Sequence, residues 1–400
     1  MKSKILIISW SDFFGGAAKS SYNLYKLLKK NFNVSFFVQK KLTKDISVKT
    51  YKKTTFNLLL RRSFSFIVNK IRGSNNDLSH NLLESDILNE AECEKYDLIN
   101  FHWIGGETLS INQITNLKKK IVLTLHDMWL MVGASHYLYN HPNKFFFKGE
   151  KLKISFFDKI VWSKKLSLNG EIYIVTPSNW LKNLVKRSRL LKKFPVTVIP
   201  YSTNHNIFRP HLVKLSNINK EYRPHFKKKI TKILFVSAAR LNDYRKGFDL
   251  LDKALRSNKI KNYKLFIVGK IKKKEKENIN SNFVHLGEVY NQKLLSMYYN
   301  LCDLLVIPSR LDNLPNVGIE AHSCGKPIVS FKVGGLQDII THKKTGYLAK
   351  PFSITDLVNG INYTIKNKKK LSINSLIKSK IWSEKNINKQ YNKFFKNIKS

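Results

Sequence analysis

The chain has 400 residues, of which 42% are hydrophobic, and this length allows two domains with separate cores rather than one. No apolar run reaches the roughly 18 residues that a membrane-spanning helix needs, and the run at 5–10 is too short for a signal peptide, so we expect a cytoplasmic protein. The cysteines Cys93, Cys302 and Cys324 have no C-x-x-C spacing, which argues against a structural metal site.

The charge is strongly basic, because 72 lysines and arginines against 27 aspartates and glutamates give a net charge of +45. Clusters at 192–193, 227–229, 272–274 and 368–370 could hold the protein at an anionic membrane surface, with up to about 1 kcal/mol for each well-placed basic residue. Drift of the whole composition towards lysine explains the same charge, and both interpretations stay open. Nucleic-acid binding is less favoured, because no zinc-finger spacing, ribonucleoprotein-type aromatic motif or basic-region heptad occurs.

The first half of the chain alternates strand and helix patterns. A strand at 4–10 precedes Gly15 and Gly16, which open a helix and let the backbone approach a ligand closely. Segment 42–94 gives no firm assignment. Further strands are predicted at 33–39, 97–102, 121–126, 171–178 and 196–200, with a helix capped by Ser178. This alternation predicts a doubly wound parallel sheet that presents ligand chemistry at its carboxyl edge.

Polar residues follow the predicted strand 121–126 at that edge. His126 and Asp127 lie at the strand tip, and His136 and Tyr137 come shortly afterwards. His126 therefore lies at the edge of the sheet where ligand chemistry is expected. The alternative is a histidine satisfied within the core or a loop.

The second half of the chain predicts another doubly wound sheet. Residues 198–210 lack helix periodicity and are bounded by prolines, so they are predicted to link the two domains. Strands are predicted at 232–237, 263–269, 283–286, 303–307, 327–331 and 346–349, with a helix at 292–301. The tail 375–400 has a helical pattern.

Two cations follow the first strand of this second half. Arg240 lies just beyond the strand and Lys246 comes six residues later, where a helix begins, so both side chains can converge above the sheet edge. Arginine binds phosphate through its planar fork and lysine supplies a mobile point charge, so the pair suits a diphosphate. Arg245 is an ambiguous neighbour, and a surface loop is the alternative interpretation for either residue alone.

The segment 303–338 is the most informative part of the chain. Pro315 suits the start of a helix, where the backbone N–H groups of Asn316 and Val317 point outward and form a seat for phosphate. Asp312 lies in the loop before this seat, and Glu320 lies about one turn into the helix, where carboxylates can bind sugar hydroxyls. The alternative is that Asp312 caps a turn and Glu320 lies on a solvated helix face.

Asp312 and Glu320, with seven residues between them, precede a Cys-Gly helix end and a proline-initiated strand. This pattern resembles the signature of family-four retaining glycosyltransferases of the polysaccharide-assembly type, in which glutamate is more frequent at the first acidic position. The resemblance implies an α/β GT-B fold with two facing Rossmann-like doubly wound domains, at 1–200 and 201–374. A crossover helix at 375–400 would pack back on the first domain.

The same resemblance implies transfer of a sugar from a nucleotide diphosphate sugar to a glycan hydroxyl, with retention of anomeric configuration. The acceptor would be a lipid-linked polysaccharide of the bacterial surface type, and neither a metal nor a cofactor is implied. Glu320 would hold the ribose, and Arg240 and Lys246 would hold the diphosphate. Asp312 would lie near the sugar, and His126 would contact the transferred sugar. The implied catalytic residues are His126, Arg240, Lys246 and Asp312, and the implied donor-binding residues are Gly15, Gly16, Asn316, Val317 and Glu320.

Two other functions fit parts of the sequence. A non-hydrolysing sugar-nucleotide epimerase shares such a fold and donor, although its characteristic acid and base set is not evident. The second alternative is not an enzyme but a binding protein without catalytic activity, which would hold nucleic acid or a membrane on its basic face. Salt-sensitive polynucleotide binding without donor binding would identify that rival.

Overall fold

The structure of the 400-residue chain is a computed structural model that describes residues 3–51, 56–71, 78–138, 156–227, 230–241, 243–257, 259–271 and 282–398. It forms two compact units. One comprises Met1–Pro200 together with Asn388–Ser400, and the other comprises Tyr201–Ile387. In the described part of the chain, no helix has the length and apolar character needed to cross a membrane, and no cluster of acidic, histidine or cysteine side chains is arranged to hold a metal ion.

The first unit is built on a seven-stranded sheet of parallel strands. The strand order is β3-β2-β1-β4-β5-β6-β7, so the chain winds outward first on one side of β1 and then on the other. Such strands are covered on both faces and are therefore nearly continuous apolar runs. The strands are β1 (Lys4–Ser11), β2 (Asn33–Lys40), β3 (Val48–Thr50), β4 (Leu98–His102), β5 (Lys120–Thr124), β6 (Ile172–Thr176) and β7 (Val196–Val198).

Helices and short 3-10 turns connect these strands. Ser178 accepts a hydrogen bond from the backbone N–H of Leu181 and caps the helix that follows, which confirms the predicted cap. The helices are α1 (Gly15–Leu28), α2 (Phe56–Ile71), α3 (Ile87–Glu90), α4 (Ile111–Thr115), α5 (Phe156–Lys165) and α6 (Asn179–Arg187), and the 3-10 turns are Cys93–Lys95 and Trp129–Met131.

The second unit contains a six-stranded parallel sheet with the order β10-β9-β8-β11-β12-β13. Apolar clusters cover both faces of this sheet, as the predicted doubly wound arrangement requires. The strands are β8 (Thr231–Arg240), β9 (Tyr263–Lys270), β10 (Phe283–His285), β11 (Leu304–Ile307), β12 (Ile328–Phe331) and β13 (Gly346–Ala349). The helices are α7 (Arg223–Lys227), α8 (Phe248–Arg256), α9 (Gln292–Leu301), α10 (Asn316–Ser323), α11 (Leu336–Ile339), α12 (Ile354–Lys366) and α13 (Lys368–Ser379).

The predicted linker at 198–210 differs from the structure in its second part. The second unit begins at Tyr201, and Phe208 is buried in the core of that unit. Ser296 of α9 also donates a hydrogen bond to the carbonyl of Ile207 at 2.7 Å. Most of the predicted linker is therefore part of the second unit, because its apolar residues pack against the core of that unit. A local sequence pattern does not reveal this packing.

The return of the chain to the first unit occurs later than the predicted start at residue 375. Helix α13 and the 3-10 turn Lys380–Trp382 belong to the second unit, which extends to Ile387. The last helix, α14 (Glu384–Asn397), then passes into the first unit. There Phe395 packs edge-on against Phe32 with ring centroids 5.4 Å apart, and the carbonyl of Ile398 accepts a hydrogen bond from Lys120 at 2.8 Å.

Candidate functional site

Asp312 is the centre of a buried charge cluster in the second unit. It lies in the loop between β11 and α10 and is only 6% exposed. Its Oδ1 accepts a hydrogen bond from Arg245 at 3.1 Å, and its Oδ2 accepts hydrogen bonds from Lys246 Nζ at 2.8 Å and Ser309 Oγ at 3.2 Å. A buried carboxylate that loses its partners costs about 3–5 kcal/mol. Asp312 therefore fixes the positions of Arg245 and Lys246, so its role is not limited to capping a turn.

Both cations lie on a 3-10 turn, Tyr244–Lys246, that follows β8. Asp243 starts this turn, because its Oδ1 accepts a hydrogen bond from the backbone N–H of Arg245 at 2.9 Å. Gly247 ends it with a φ of +65°, and a Cβ at this position would lie 2.1 Å from the carbonyl oxygen of Pro308. Only glycine fits such a conformation and such a contact, so the loop after β8 lies directly against the loop after β11.

Arg310 joins these two loops. Its backbone N–H donates to the carbonyl of Arg245 at 2.8 Å, and its guanidinium donates to the carbonyl of Tyr244 at 2.8 Å. The same guanidinium binds both carboxylate oxygens of Asp249, at 2.8 and 2.6 Å. The loop that carries the cations and the loop that carries Asp312 are therefore connected from both sides.

The neighbouring charges decide the protonation of this cluster. Burial alone would raise the pKa of Asp312, but Lys246 and Arg245 outweigh burial and hold it below its usual value. Burial and then Arg245 lower the pKa of Lys246, although Asp312 acts in the opposite direction. Among the described residues, Lys246 Nζ donates to Asp312 alone. Because an ammonium group has three N–H donors, two remain for an anion.

The helix that carries Glu320 begins immediately after this cluster. Pro315 occupies the N-cap position of α10, so Asn316 and Val317 are the first two residues of this helix. Glu320 is buried and accepts a hydrogen bond from the Tyr299 hydroxyl at 3.1 Å. The alternative of a solvated helix face for Glu320 is therefore wrong.

Arg240 is the last residue of β8, so its backbone reaches the carboxyl end of the sheet. Its side chain lies outside the described residues, as do residues 228–229 and 272–274 of the predicted basic clusters. The pairing of Arg240 with Lys246 stays a prediction. The described cation beside Lys246 is Arg245, which the sequence left ambiguous because adjacent loop residues cannot be ranked without the fold.

Gly15 and Gly16 are the first two residues of α1, just after the turn from β1 in the first unit. Gly15 has a φ of +87°, and in the described structure a Cβ placed there would meet no atom within 4 Å. The carbonyl of Gly16 accepts a hydrogen bond from Ser20 Oγ at 2.8 Å. Glycine at position 15 thus serves the backbone conformation and leaves the space above the turn open. A ligand contact at these glycines stays a prediction.

His126 is buried just beyond the end of β5. Its Nε2 lies 3.0 Å from Nδ1 of His102, the last residue of β4, so the two rings share one hydrogen bond. Burial lowers the pKa of His126 to about 4, although Asp127 acts in the opposite direction. Burial also lowers the pKa of His102 well below its usual value, and His126 adds to this effect. Both imidazoles are therefore neutral at pH 7, and a sugar contact by His126 stays a prediction.

Asp127 organises a second set of polar groups that the sequence only partly indicated. Its Oδ2 accepts hydrogen bonds from Trp103 Nε1 at 2.8 Å and from His136 Nδ1 at 2.6 Å. On the other side of that ring, His136 Nε2 lies 2.8 Å from Ser79 Oγ. His136 was indicated by its closeness to His126 in sequence. Trp103 and Ser79 were missed because they come from other parts of the chain, although Trp103 does follow the polar end of β4.

The buried histidine pair makes the first unit sensitive to acid. In the unfolded chain His126 has a pKa near 6.5, against about 4 in the fold, so the unfolded state binds more protons between these values. Stability is fully present above pH 6.5 and is lost as the pH falls towards 4, by about 3 kcal/mol for His126 alone. Urea unfolding at both ends of this range measures the loss. Tryptophan fluorescence reports it, because Trp382 is the single tryptophan outside the first unit.

In the variant His102→Gln/His126→Gln, the drop in stability between these two pH values should be smaller than in the wild type. The control is His211→Gln, since His211 is an exposed histidine in the second unit. An acid-induced loss that is the same in the double variant and the wild type would contradict this assignment.

The charge cluster lies within a part of the chain that matches a protein-family model. Residues 218–379 match the family model described as Glycosyl transferases group 1. The second unit contains a group 1 glycosyl transferase domain. Lys246, Asp312 and Glu320 all fall inside this glycosyl transferase domain, and so does the connection that Arg310 makes.

Two curated relatives carry glycosyltransferase names. An uncharacterized glycosyltransferase of Methanocaldococcus jannaschii is 32% identical over 127 residues, which are 31% of this chain and 36% of the relative. The lipopolysaccharide 1,2-N-acetylglucosaminetransferase of Salmonella typhimurium is 32% identical over 89 residues, which are 22% of this chain and 23% of the relative. The chain thus spans less than half the length of these two relatives.

A solved structure is similar over the whole chain. Anabaena HepE in complex with UDP-glucose matches with a TM-score of 0.67 and 17% identity, covering 99% of this chain and 100% of HepE. The TM-score shows that the two proteins share a fold, and the low identity limits the comparison to the fold. This fold is the predicted α/β GT-B fold with two Rossmann-like domains.

Proposed function

We propose that this protein is a retaining glycosyltransferase that moves a sugar from a nucleotide diphosphate sugar to a hydroxyl group of a glycan. The observation that carries the proposal is the buried cluster of Arg245, Lys246 and Asp312, which lies just before α10 in the glycosyl transferase domain. Fixed cations next to a helix start offer preorganised stabilisation to a diphosphate. UDP-glucose is the first donor to test, because HepE was solved with it.

In the proposed reaction, the bond between the anomeric carbon and the diphosphate oxygen breaks, and the diphosphate leaves with the electron pair. Lys246 and the positive end of the α10 helix dipole stabilise the negative charge that develops on the diphosphate. Asp312 keeps Lys246 oriented for this task. The acceptor hydroxyl forms the new bond to the anomeric carbon, and its proton passes to the departing diphosphate. Retention of configuration follows from the resemblance in sequence.

Glu320 is proposed to bind the ribose of the donor. Its carboxylate lies about one turn along α10 from the proposed phosphate position, and the buried hydroxyl of Tyr299 orients it. A carboxylate so placed accepts hydrogen bonds from the two ribose hydroxyls, as acidic residues do in dinucleotide-binding folds. His126 in the first unit is proposed to contact the transferred sugar as a neutral imidazole, whose Nε2 shares a hydrogen bond with His102.

A lipid-linked polysaccharide is proposed as the acceptor. The name of the Salmonella relative places that protein in lipopolysaccharide synthesis, and the Asp312 loop resembles polysaccharide-assembly transferases. The net charge of +45 fits work close to anionic lipids.

Donor binding tests the proposed function directly. UDP-glucose at a hundredfold excess over its Kd is expected to raise the free energy of unfolding by about 2.7 kcal/mol, seen as a higher thermal midpoint. Glu320→Gln should lose most of this response, because its neutral amide binds the ribose hydroxyls less strongly. The matched control is Glu288→Gln, since Glu288 is an exposed carboxylate in the same unit.

Three results bear on the rival functions. If UDP-, GDP- and ADP-sugars all leave the midpoint unchanged while a polynucleotide raises it in a salt-sensitive way, the transferase proposal fails in favour of a basic binding protein. Conversion of the donor sugar without any acceptor would instead support an epimerase. Transfer to a glycan, followed by NMR of the new anomeric centre, would establish the reaction and its stereochemistry.

A further inference from the structure

Helix α2 presents an apolar face to solvent. Leu59, Leu60, Phe66 and Ile67 are 55%, 50%, 69% and 55% exposed. Their spacing of one, seven and eight residues places all four on one side of the helix. Isolated exposed apolar residues are common, but four large ones on one side of a helix, here called the apolar stripe, mark an interaction surface.

The opposite side of α2 fixes the helix to the first unit. Leu58, Arg61, Ser65 and Val68 are all buried. The Arg61 guanidinium donates hydrogen bonds to the carbonyls of Glu107 and Thr108, and Ser65 Oγ lies 3.4 Å from His80 Nδ1. Arg61 thus fixes the inner side of α2 to the backbone of the loop at 107–108. The apolar stripe on the opposite side of the helix therefore faces outward.

This anchorage also places α2 near the predicted ligand edge of the first sheet. Glu107 and Thr108 belong to the loop that follows β4, whose last residue is His102. Parallel strands present their carboxyl ends at one edge, and His126 follows the neighbouring strand β5 at the same edge. The apolar stripe therefore belongs to a helix that packs on the loops where an acceptor is proposed to enter.

The charges around the stripe favour an anionic partner. Arg62 and Lys70 are exposed on α2, and the helix contains no acidic residue. The chain carries a net charge of +45, so two copies would repel each other if they met through such a face. Large apolar side chains beside basic ones are typical of helices that lie in the headgroup region of a membrane.

We propose that this outer face of α2 docks on an anionic lipid bilayer. Phe66, Ile67 and the two leucines enter the boundary between headgroups and acyl chains, while Arg62 and Lys70 contact lipid phosphates. The inference deepens the proposed function, on which it rests for its biological purpose, because a lipid-linked acceptor would then meet the protein beside its predicted ligand edge.

Sedimentation with vesicles tests this docking surface. The full-length wild type is expected to bind vesicles of phosphatidylcholine mixed with phosphatidylglycerol, and to bind vesicles of phosphatidylcholine alone much less. Phe66→Glu/Ile67→Glu should lower the partition coefficient roughly tenfold or more, because two apolar contacts are lost and two negative charges face the lipid. The matched control is Ile373→Glu/Ile377→Glu on α13, which removes a pair of exposed isoleucines near lysines in the second unit.

Several outcomes would overturn the proposal. They are no binding of the wild type to the anionic vesicles, equal loss of binding in both double variants, or a loss confined to the α13 variant. Circular dichroism checks that each variant is folded. Light scattering tests whether the wild type self-associates. If it does, and if the α2 variant is monomeric, the partner of this surface is a second copy of the chain and the lipid proposal is wrong.

UDP-glucose stabilisation of the same samples separates this inference from the proposed function. A wild type that binds vesicles but no nucleotide sugar would defeat the transferase proposal and leave the docking surface standing. The converse result would defeat only the docking surface.

Discussion

Replacement of Lys246 by glutamine is expected to lower kcat/KM for sugar transfer by about 10²–10³-fold, the usual effect of removing one preorganised donor from a developing charge. Glutamine keeps a donor that can reach Asp312 but removes the positive charge proposed to face the departing diphosphate. Asp312 retains Arg245 and Ser309 as partners, so its carboxylate is not left unpaired and the fold should persist. Initial rates with UDP-glucose and a polysaccharide acceptor measure the effect.

Lys253→Gln is the matched control for this experiment. Lys253 is an exposed lysine on α8, in the same unit, and its removal changes the net charge equally. Its kcat/KM should stay within about twofold of the wild type, since surface charges contribute little. Equal rates in the Lys246 variant and the wild type would remove Lys246 from the proposed chemistry, and a variant that fails to fold would show by circular dichroism.

Gly247→Ala is expected to destabilise the second unit by about 2–5 kcal/mol, the combined cost of a left-handed conformation and of overpacking. The φ of Gly247 is +65°, and the new methyl group would lie 2.1 Å from the carbonyl oxygen of Pro308. Relief of that contact must push apart the loops that carry Lys246 and Asp312. We therefore expect both a lower urea midpoint and a weaker response to UDP-glucose.

Gly287 offers the control for this substitution. Its φ is +78°, but in the described structure a Cβ there would meet no atom within 4 Å. Gly287→Ala should therefore cost only the conformational part, about 1–2 kcal/mol, and leave the donor response intact. If the two variants lose the same stability, the contact with Pro308 has no energetic weight and the pairing of the two loops needs another explanation.

Much of the fold followed from local patterns. The strand predicted at 4–10 is β1, and those predicted at 97–102 and 303–307 are β4 and β11, because buried parallel strands are short apolar runs with polar ends. The carboxyl-edge rule also predicts that the loop with Lys246 and the loop with Asp312 lie at one edge of the second sheet. The 2.8 Å hydrogen bond between their side chains is a finding of the structure that this rule does not predict.

The features that the sequence did not predict depend on contacts between distant residues. Arg245 binds Asp312 across 66 intervening positions, and no local pattern separates it from the many other basic residues of the chain. Helix α2 lay inside the unassigned stretch 42–94, because its outer face is apolar and therefore blurs the periodicity that normally marks a surface helix. The pairing of His102 with His126 likewise exists only because β4 and β5 are neighbours in the sheet.

The connection made by Arg310 has a consequence for how the second unit can meet a ligand. One side chain holds the carbonyl of Tyr244 and both oxygens of Asp249, while its own backbone holds the carbonyl of Arg245. Loops usually lose conformational entropy when a ligand orders them, and that loss weakens affinity. Here these loops are already ordered in the folded protein. An anion that binds beside Lys246 would therefore need little rearrangement of the two loops, and little conformational entropy would be lost.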